Sequence, residues 1–267
     1  MKSMIPVLML TLMYSCGHVK KEKKPEEVYS PRMVFSEEGK TYEATITLPK
    51  DMKDKVPLVV IVHEWWGRTP YILDRSVMLN KEGFATLPVD LFGNGQMVET
   101  PAEAGALATP FYQNPQMGVD RLTKYIQLAK MDPHVDASKI YVIGYCFGGT
   151  QALNLARSGA DLAGVVSFHG GLDSTIKTEG IKTRILAING LADPMVPAKQ
   201  RTGFEKEMKA LKADYKMVNY KGATHAFTNP KATEVGKKYK IPIAYNKKAD
   251  EGSWKNLMDF LKTEKKE

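Results

Sequence analysis

The chain has 267 residues, of which 43% are hydrophobic and 25% are charged, and its formal net charge is +8. These values are typical of a globular protein and exclude a disordered or fibrous chain. The two cysteines, Cys16 and Cys146, are too few for a disulfide framework.

The first sixteen residues have the layout of a secretory signal. Lys2 is followed by an apolar run over 4–14 that is shorter than the roughly 20 residues a membrane-spanning helix needs. Residues 13–16 (MYSC) resemble a bacterial lipobox, although the first two depart from the usual leucine and small residue. We therefore expect cleavage after Ser15 and lipid on Cys16. The alternatives are plain secretion and an unstructured start of a cytosolic enzyme.

Residues 16–27 are polar and show no periodicity, so they are expected to form a solvated tether. One domain is then expected over 28–267, held by lipid on the periplasmic or cell-envelope side of a membrane. The lysine-rich stretches at 236–248 and 262–267 lack the interleaved arginine and aromatic residues of nucleic-acid surfaces. No nucleic-acid partner is therefore expected.

Within the body of the chain, hydrophobic patterning predicts strands that alternate with helices. A half-buried antiparallel strand is predicted over 41–48, following the run at 33–35. The other predicted strands cover 55–62, 84–91, 140–145, 164–168, 184–189 and 215–220. The predicted helices cover 70–81, 101–131 with breaks at Pro110 and Pro115, 147–157, 199–212 and 253–262. This order implies an α/β fold, in which a mostly parallel sheet has helices on both faces.

The predicted strand 140–145 runs directly into Cys146 and then into a helix, within a G-x-C-x-G pattern from Gly144 to Gly148. A sharp strand-to-helix turn strains the backbone of its central residue and needs small neighbours. The helix N-terminus then favours a thiolate at that residue. Cys146 is therefore a candidate nucleophile, and the alternatives are a buried structural cysteine and a redox thiol.

A nucleophile on such a turn needs a base and an orienting acid, which should follow it along the chain. Asp193 and His225 each come just after a predicted strand, at the sheet edge where Cys146 should lie. Asp193 would fix the tautomer of His225, and His225 would accept the thiol proton. Asp173 competes with Asp193 for the acid position.

With these residues in place, the chain resembles the dienelactone hydrolase family of the α/β-hydrolase superfamily. The resemblance covers roughly 55–262, and its motifs are GYCFGG at 144–149, Asp193 before a proline, HAF at 225–227 and VHEWWG at 62–67. It implies a Cys-His-Asp triad that hydrolyses esters or lactones through an acyl-cysteine. It also implies that Glu64 contacts the thiol and that the backbone N–H groups of Trp65 and Phe147 hold the oxyanion.

The chain departs from the family at Asn229, where members that act on acidic dienelactones carry an arginine. This departure leaves the substrate open. Four side chains are expected to line the pocket, namely Trp66, Tyr112, His169 and Asn229. The segment 228–245 resembles an insertion near the site, either a lid or a surface loop.

We therefore expect a cofactor-independent hydrolase of a carboxylic ester or lactone. The histidines show no metal-binding spacing, so no metal is expected either. The alternative is a non-catalytic lipoprotein that uses the same fold to bind a ligand or partner. An amide, or an ester on a polysaccharide, is a further possibility for the bond that is cleaved. The oligomeric state is left open.

Overall fold

The structure is a computed structural model that describes residues 29–178 and 180–263. The expected signal over 1–15, the lipidation candidate Cys16 and the tether 16–27 lie outside the described residues. Within the described part of the chain, no helix is long and apolar enough to cross a membrane.

Eight strands and seven helices make up the described residues. The strands are β1 (Arg32–Glu37), β2 (Lys40–Thr45), β3 (Val56–Val62), β4 (Ala85–Val89), β5 (Val135–Tyr145), β6 (Gly164–Phe168), β7 (Ile185–Gly190) and β8 (Tyr215–Tyr220). The helices are α1 (Pro70–Lys81), α2 (Pro101–Gln113), α3 (Gln116–Ala129), α4 (Phe147–Arg157), α5 (Ala198–Ala210), α6 (Ala232–Tyr239) and α7 (Lys247–Lys262).

Six of the strands form one sheet in the order β4-β3-β5-β6-β7-β8, and every neighbouring pair is parallel. Strand β3 shows why this sheet is buried on both faces. Leu58, Val60 and Val62 pack into one hydrophobic cluster, whereas Val59 and Ile61 pack into the other. This alternation follows from the two-residue period of a strand.

Helices cover both faces of the sheet, which confirms the predicted α/β class. Helices α1 and α7 bury their apolar faces in one cluster, and helices α2 to α5 bury theirs in the other. Helix α4 is buried along its whole length, because it packs against the sheet strands β3, β5 and β6 and against helix α3. The carboxyl ends of the parallel strands meet at one edge, where the loops that follow them carry the candidate site residues.

The antiparallel strand expected over 41–48 is confirmed as β2, which pairs with β1, although it ends at Thr45 and a separate bridge joins Thr47 to Thr86 of β4. Two other sequence predictions need correction. Pro110 does not break α2, because it lies in the last turn of that helix. Helix α7 begins six residues earlier than expected, since the Asn246 side chain caps it by accepting the Ala249 N–H at 3.1 Å.

Candidate active site

Cys146 occupies the turn between β5 and α4, with a φ of 54° and a ψ of −118°. A positive φ is costly for a residue with a side chain, on the order of 1–3 kcal/mol. The turn is possible because Gly144 and Gly148 lack side chains. A Cβ on Gly144 would collide with the Gly148 carbonyl, and one on Gly148 would collide with the Val62 carbonyl. The strained turn places the sulfur at the sheet edge.

His225 connects the sulfur to Asp193 through two hydrogen bonds. Its Nε2 lies 3.0 Å from Cys146 Sγ, and its Nδ1 lies 2.8 Å from Asp193 Oδ2. Both side chains are buried, with His225 5% exposed and Asp193 3% exposed. The Met195 N–H donates to the second carboxylate oxygen of Asp193 at 2.8 Å and so fixes that carboxylate.

The surroundings of His225 favour its charged form. Burial opposes the charge, but the Cys146 sulfur and the Asp193 carboxylate outweigh burial and raise the pKa of His225 to about 10. A histidine placed between a thiol and a carboxylate can accept the thiol proton, and the carboxylate stabilises the charge that results.

Asp173, the competing candidate for the acid position, is placed elsewhere. It is exposed on the wall of the neighbouring cleft, whereas Asp193 makes the hydrogen bond to His225. Position relative to the preceding strand could not separate the two aspartates in the sequence, because both follow strands that end at this edge.

His169 was expected to line the pocket, and the structure corrects that expectation. It is fully buried beneath the turn, where its Nδ1 accepts the Cys146 backbone N–H at 3.1 Å. The same N–H also donates to the Phe168 carbonyl at 2.9 Å. Its Nε2 lies 2.8 Å from the Thr228 hydroxyl. Because Nδ1 accepts, the ring proton belongs on Nε2. Burial, followed by the nearby charge of His225, lowers the pKa of His169 well below its ordinary value.

Thr228 links the histidine loop to helix α1. The Tyr71 hydroxyl donates to its side-chain oxygen at 2.7 Å, and Arg75 donates to its carbonyl oxygen at 2.6 Å. Arg75 also forms a buried ion pair with Asp250 of α7 at 2.6 Å. The loop that carries His225 is thereby held against helix α1 and, through Arg75, linked to helix α7. Thr228 was not among the residues predicted from the sequence. Arg75 was a possible partner for the Glu64 carboxylate, but it pairs with Asp250 and Thr228 instead; an arginine on the apolar face of α1 was the available signal.

Glu64 is 1% exposed and accepts a hydrogen bond from the Asn229 amide at 2.8 Å. Burial raises the pKa of Glu64 to about 7, against the opposing effects of Asn229, His225 and Arg75. Within the described residues, the Cys146 thiol hydrogen bonds to His225 and not to Glu64. Asn229 was expected to line the pocket, but it is not among the residues that line the cleft. Its amide donates to the Glu64 carboxylate instead.

Two backbone N–H groups near the sulfur are without partners. The N–H of Phe147 is the first of helix α4, and that of Trp65 follows Glu64; among residues 29–178 and 180–263 neither donates a hydrogen bond. His63 fixes the loop after β3, which carries Trp65. Its Nδ1 lies 2.6 Å from the Glu64 carbonyl, and its Nε2 accepts the Leu91 N–H at 3.2 Å. Free donors of this kind can stabilise an oxyanion.

The sulfur opens into a cleft of about 650 Å³. Trp66 and Tyr112 line it, as expected, together with the side chains of Trp65 and Phe147. The segment 228–245 contributes Ile243 to the wall, and the Ala244 N–H donates to the His225 carbonyl at 3.2 Å. No cluster of His, Cys, Asp or Glu suited to a metal ion occurs in the described ranges.

The chain is similar to known proteins over most of its length. The model of the Dienelactone hydrolase family matches residues 42–265. Protein usf of Aquifex pyrophilus is 30% identical over 196 residues, which cover 71% of this chain and 84% of that protein. The carboxymethylenebutenolidase homolog of Xenopus tropicalis is 24% identical over 221 residues, which cover 82% and 86%.

A solved structure is similar over the same region. The crystal structure of a dienelactone hydrolase-like promiscuous phosphotriesterase from metagenomic libraries has a TM-score of 0.80 and 26% identity to this chain. The match covers 87% of this chain and 97% of the other. It confirms the expected α/β-hydrolase fold.

Proposed function

This chain belongs to the dienelactone hydrolase family and is a hydrolase of esters or lactones, and we propose that it acts through a Cys146–His225–Asp193 triad and an acyl-cysteine intermediate. One observation carries the proposal. The sulfur, the imidazole and the carboxylate are joined by hydrogen bonds of 3.0 and 2.8 Å at the edge of a cleft.

In the first half of the reaction, Cys146 Sγ attacks the carbonyl carbon and the thiol proton resides on His225 Nε2. The carbonyl oxygen takes the electron pair and is held by the free N–H groups of Trp65 and Phe147, each contributing about 3 kcal/mol. The carbonyl then re-forms, the C–O bond to the leaving group breaks, and His225 returns its proton to the departing alkoxide. In a lactone that alcohol stays attached to the acyl group.

In the second half, a water molecule attacks the acyl-cysteine while His225 accepts one of its protons. The same two N–H groups hold the second oxyanion. The C–S bond then breaks, the acid leaves, and the proton on His225 again balances the thiolate. Throughout, Asp193 keeps the Nδ1 proton of His225 in place, so that Nε2 faces the sulfur.

Glu64 supports a further element of this mechanism. A carboxylate near the sulfur disfavours a second negative charge, and a protonated carboxyl does not. The pKa of Glu64, raised by burial to about 7, allows both forms near neutral pH. We propose that the hydrogen bond from Asn229 keeps Glu64 apart from the sulfur, so that its carboxylate does not disfavour the thiolate.

The N-terminal segment supports a proposal about location. We propose that residues 1–15 are removed and that lipid on Cys16 holds the enzyme at a membrane outside the cytoplasm. The support is the MYSC pattern behind an apolar run. In a bacterial host, metabolic labelling with radioactive palmitate should mark the wild-type protein and not the Cys16→Ser variant. Equal labelling of both would contradict the proposal.

Hydrolysis of p-nitrophenyl acetate by the wild-type protein and by Cys146→Ala tests the triad. We expect steady turnover by the wild type and a rate for the variant close to that of the buffer alone. Full activity of Cys146→Ala would refute the acyl-cysteine. A thiol with ordinary reactivity and no turnover of any ester would favour the alternative, a non-catalytic binding protein.

A further inference from the structure

The cleft beside the sulfur changes character along helix α4. Cys146, Thr150 and Asn154 follow one another at four-residue intervals, so they lie on one face of the helix, and all three line the cleft. With a rise of 1.5 Å per residue, Asn154 lies about 12 Å along the helix axis from Cys146. The cleft thus leads from the sulfur to a second, distant group of side chains.

We call this distant group the polar end; it consists of Thr150, Asn154, Asp173, Ser174 and Gln200. Asn154 is 2% exposed, yet its Oδ1 accepts no hydrogen bond from any described residue. Leaving such a group unpaired costs about 1–3 kcal/mol. Asp173 adds a carboxylate, whereas the side-chain amide oxygen of Gln200 already accepts the Leu172 N–H at 3.2 Å. The open acceptors of the polar end suit a ligand that donates hydrogen bonds.

The part of the cleft nearer the sulfur is apolar and aromatic. Its walls are formed by Trp65, Trp66, Phe111, Tyr112 and Phe147. Flat apolar walls of this kind bind a hydrocarbon chain by removing its surface from water. A substrate that spans both parts therefore has an apolar middle and a polar terminus.

The charged residues that line the cleft further limit which substrates it can bind. No lysine or arginine of the described residues lines the cleft, while Glu64 and Asp173 do. The charge of His225 is already matched by Cys146 and Asp193, and Arg75 is paired with Asp250. A substrate carboxylate at the polar end would lie beside the Asp173 carboxylate with no counter-ion among the described lining residues, which is unfavourable.

We propose that the cleft selects uncharged esters whose acyl chain ends in a hydrogen-bond donor such as a hydroxyl group, and that it rejects esters whose chain ends in a carboxylate. The apolar part of the chain lies along the aromatic walls, and its terminal donor meets Asn154 and Asp173. This inference rests on the proposed hydrolase mechanism, since it takes Cys146 as the point of attack.

Three p-nitrophenyl esters with one chain length test the inference: the octanoate, the 8-hydroxyoctanoate and the monoester of suberic acid. They differ only in a terminal methyl, hydroxyl or carboxylate group. For the full chain, we expect kcat/KM to be highest for the hydroxyl ester and at least tenfold below the octanoate value for the carboxylate ester. A carboxylate ester that reacts as fast as the hydroxyl ester would overturn the inference.

Two variants locate the selectivity. Asn154→Leu should lower kcat/KM for the hydroxyl ester about tenfold more than for the octanoate, whereas a purely structural role would lower both equally. Asp173→Lys should raise the ratio of carboxylate-ester to octanoate activity at least tenfold. The matched control is Asp74→Lys, at an exposed position on α1, which should leave this ratio unchanged. Equal ratios in both lysine variants would contradict a role for Asp173.

Binding separates this inference from the hydrolase mechanism. The three corresponding primary amides can be titrated by calorimetry into the Cys146→Ala protein, which needs no catalysis. We expect the hydroxyl amide to bind most tightly and the carboxylate amide most weakly. If the wild-type protein hydrolyses none of the esters but the amides bind in this order, the mechanism fails and the selectivity stands. Equal binding of all three amides would refute the selectivity.

Discussion

His225 and His169 lie with their ring centroids 5.2 Å apart, and both contact Cys146, yet their surroundings shift their charges in opposite directions. His225 faces the sulfur and a carboxylate, and its pKa is raised to about 10. His169 faces a backbone N–H and a hydroxyl, and burial lowers its pKa well below the ordinary value. Both are buried, so burial alone does not decide the protonation state.

The difference teaches that the partners of a buried histidine decide what it can do. Two groups that carry or can acquire negative charge make His225 a proton carrier, and the hydrogen bond to Asp193 fixes its proton on Nδ1. Neutral partners make His169 a fixed neutral ring with its proton on Nε2, which suits a positioning residue. Once His225 has given up its Nε2 proton, the two neutral rings are therefore opposite tautomers within one site.

Of the changes that separate the two histidines, the replacement of His225 should cause the largest loss of activity. His225→Asn takes away the proton carrier that contacts the sulfur, so we expect kcat/KM for p-nitrophenyl acetate to fall about 10⁴-fold. The control is His134→Asn, a change to a half-exposed histidine that pairs with Asp132 and should leave kcat/KM unchanged. More than a tenth of wild-type activity in His225→Asn would contradict its role.

Asp193→Asn should have the next largest effect. The amide can orient the ring wrongly and no longer stabilises the imidazolium, so kcat/KM should fall about 10³-fold. The pKa of His225 should also drop from about 10, because one of the groups that raise it is lost. NMR of the ring nitrogens measures this, with His169 as the internal reference that stays neutral. An unchanged titration of His225 would be inconsistent with the account.

Thr228→Val should test the hydrogen bond between His169 and its neutral partner, the Thr228 hydroxyl. Valine has nearly the shape of threonine but cannot accept from His169 or Tyr71, which leaves buried donors without an acceptor. We expect kcat to fall about tenfold, because His169 no longer holds the Cys146 N–H in one geometry, and KM to change little. Thr228→Ser keeps the hydroxyl and should restore kcat. If serine and valine behave alike, the hydroxyl is not the reason.

Glu64→Gln should have the smallest effect on turnover and a pH-dependent effect on stability. Folding raises the pKa of Glu64 from its ordinary 4.5 to about 7. The penalty for burying the carboxylate is therefore absent below pH 4.5, grows between pH 4.5 and 7, and is complete above pH 7. This shift corresponds to on the order of 3 kcal/mol.

Urea unfolding at pH 5 and pH 8 measures this effect. The variant should be more stable than the wild type at pH 8, and the difference should shrink at pH 5, because glutamine never ionises. Glu99→Gln, at an exposed position before helix α2, provides the control for a generic change of charge. A stability difference for Glu64→Gln that is the same at both pH values would exclude an ionised Glu64 as its cause.

Much of the fold follows from local pattern, and one missed helix shows where pattern fails. Buried strands such as β3 carry continuous β-branched runs, and α4 follows directly from the glycine turn. Helix α6 has only eight residues, three of them charged, and only its Ala232 and Gly236 are buried. Gly236 packs so closely on Ile243 that a Cβ there would collide with the Ile243 carbonyl. Its helix depends on this contact, which no local pattern contains.

The candidate site likewise contains residues that the sequence could predict and side-chain directions that it could not. Cys146, Asp193 and His225 could be proposed from the sequence because each follows a strand that ends at one sheet edge. The direction of a side chain could not be proposed. His169 follows β6 at the same edge, yet a backbone φ of 42° accompanies its placement beneath Cys146 rather than in the cleft. Asn229 likewise contacts Glu64 instead of the cleft.

The central claim is that Cys146 carries the acyl group. A pulse of p-nitrophenyl acetate, followed by rapid quenching, intact-mass detection and peptide mapping, tests it directly. We expect an adduct of about 42 Da, one acetyl group, on the peptide that contains Cys146; it should decay as product forms and be absent from Cys146→Ala. Turnover of the ester with no adduct on Cys146 at any time, or with an adduct that never decays, would contradict the account.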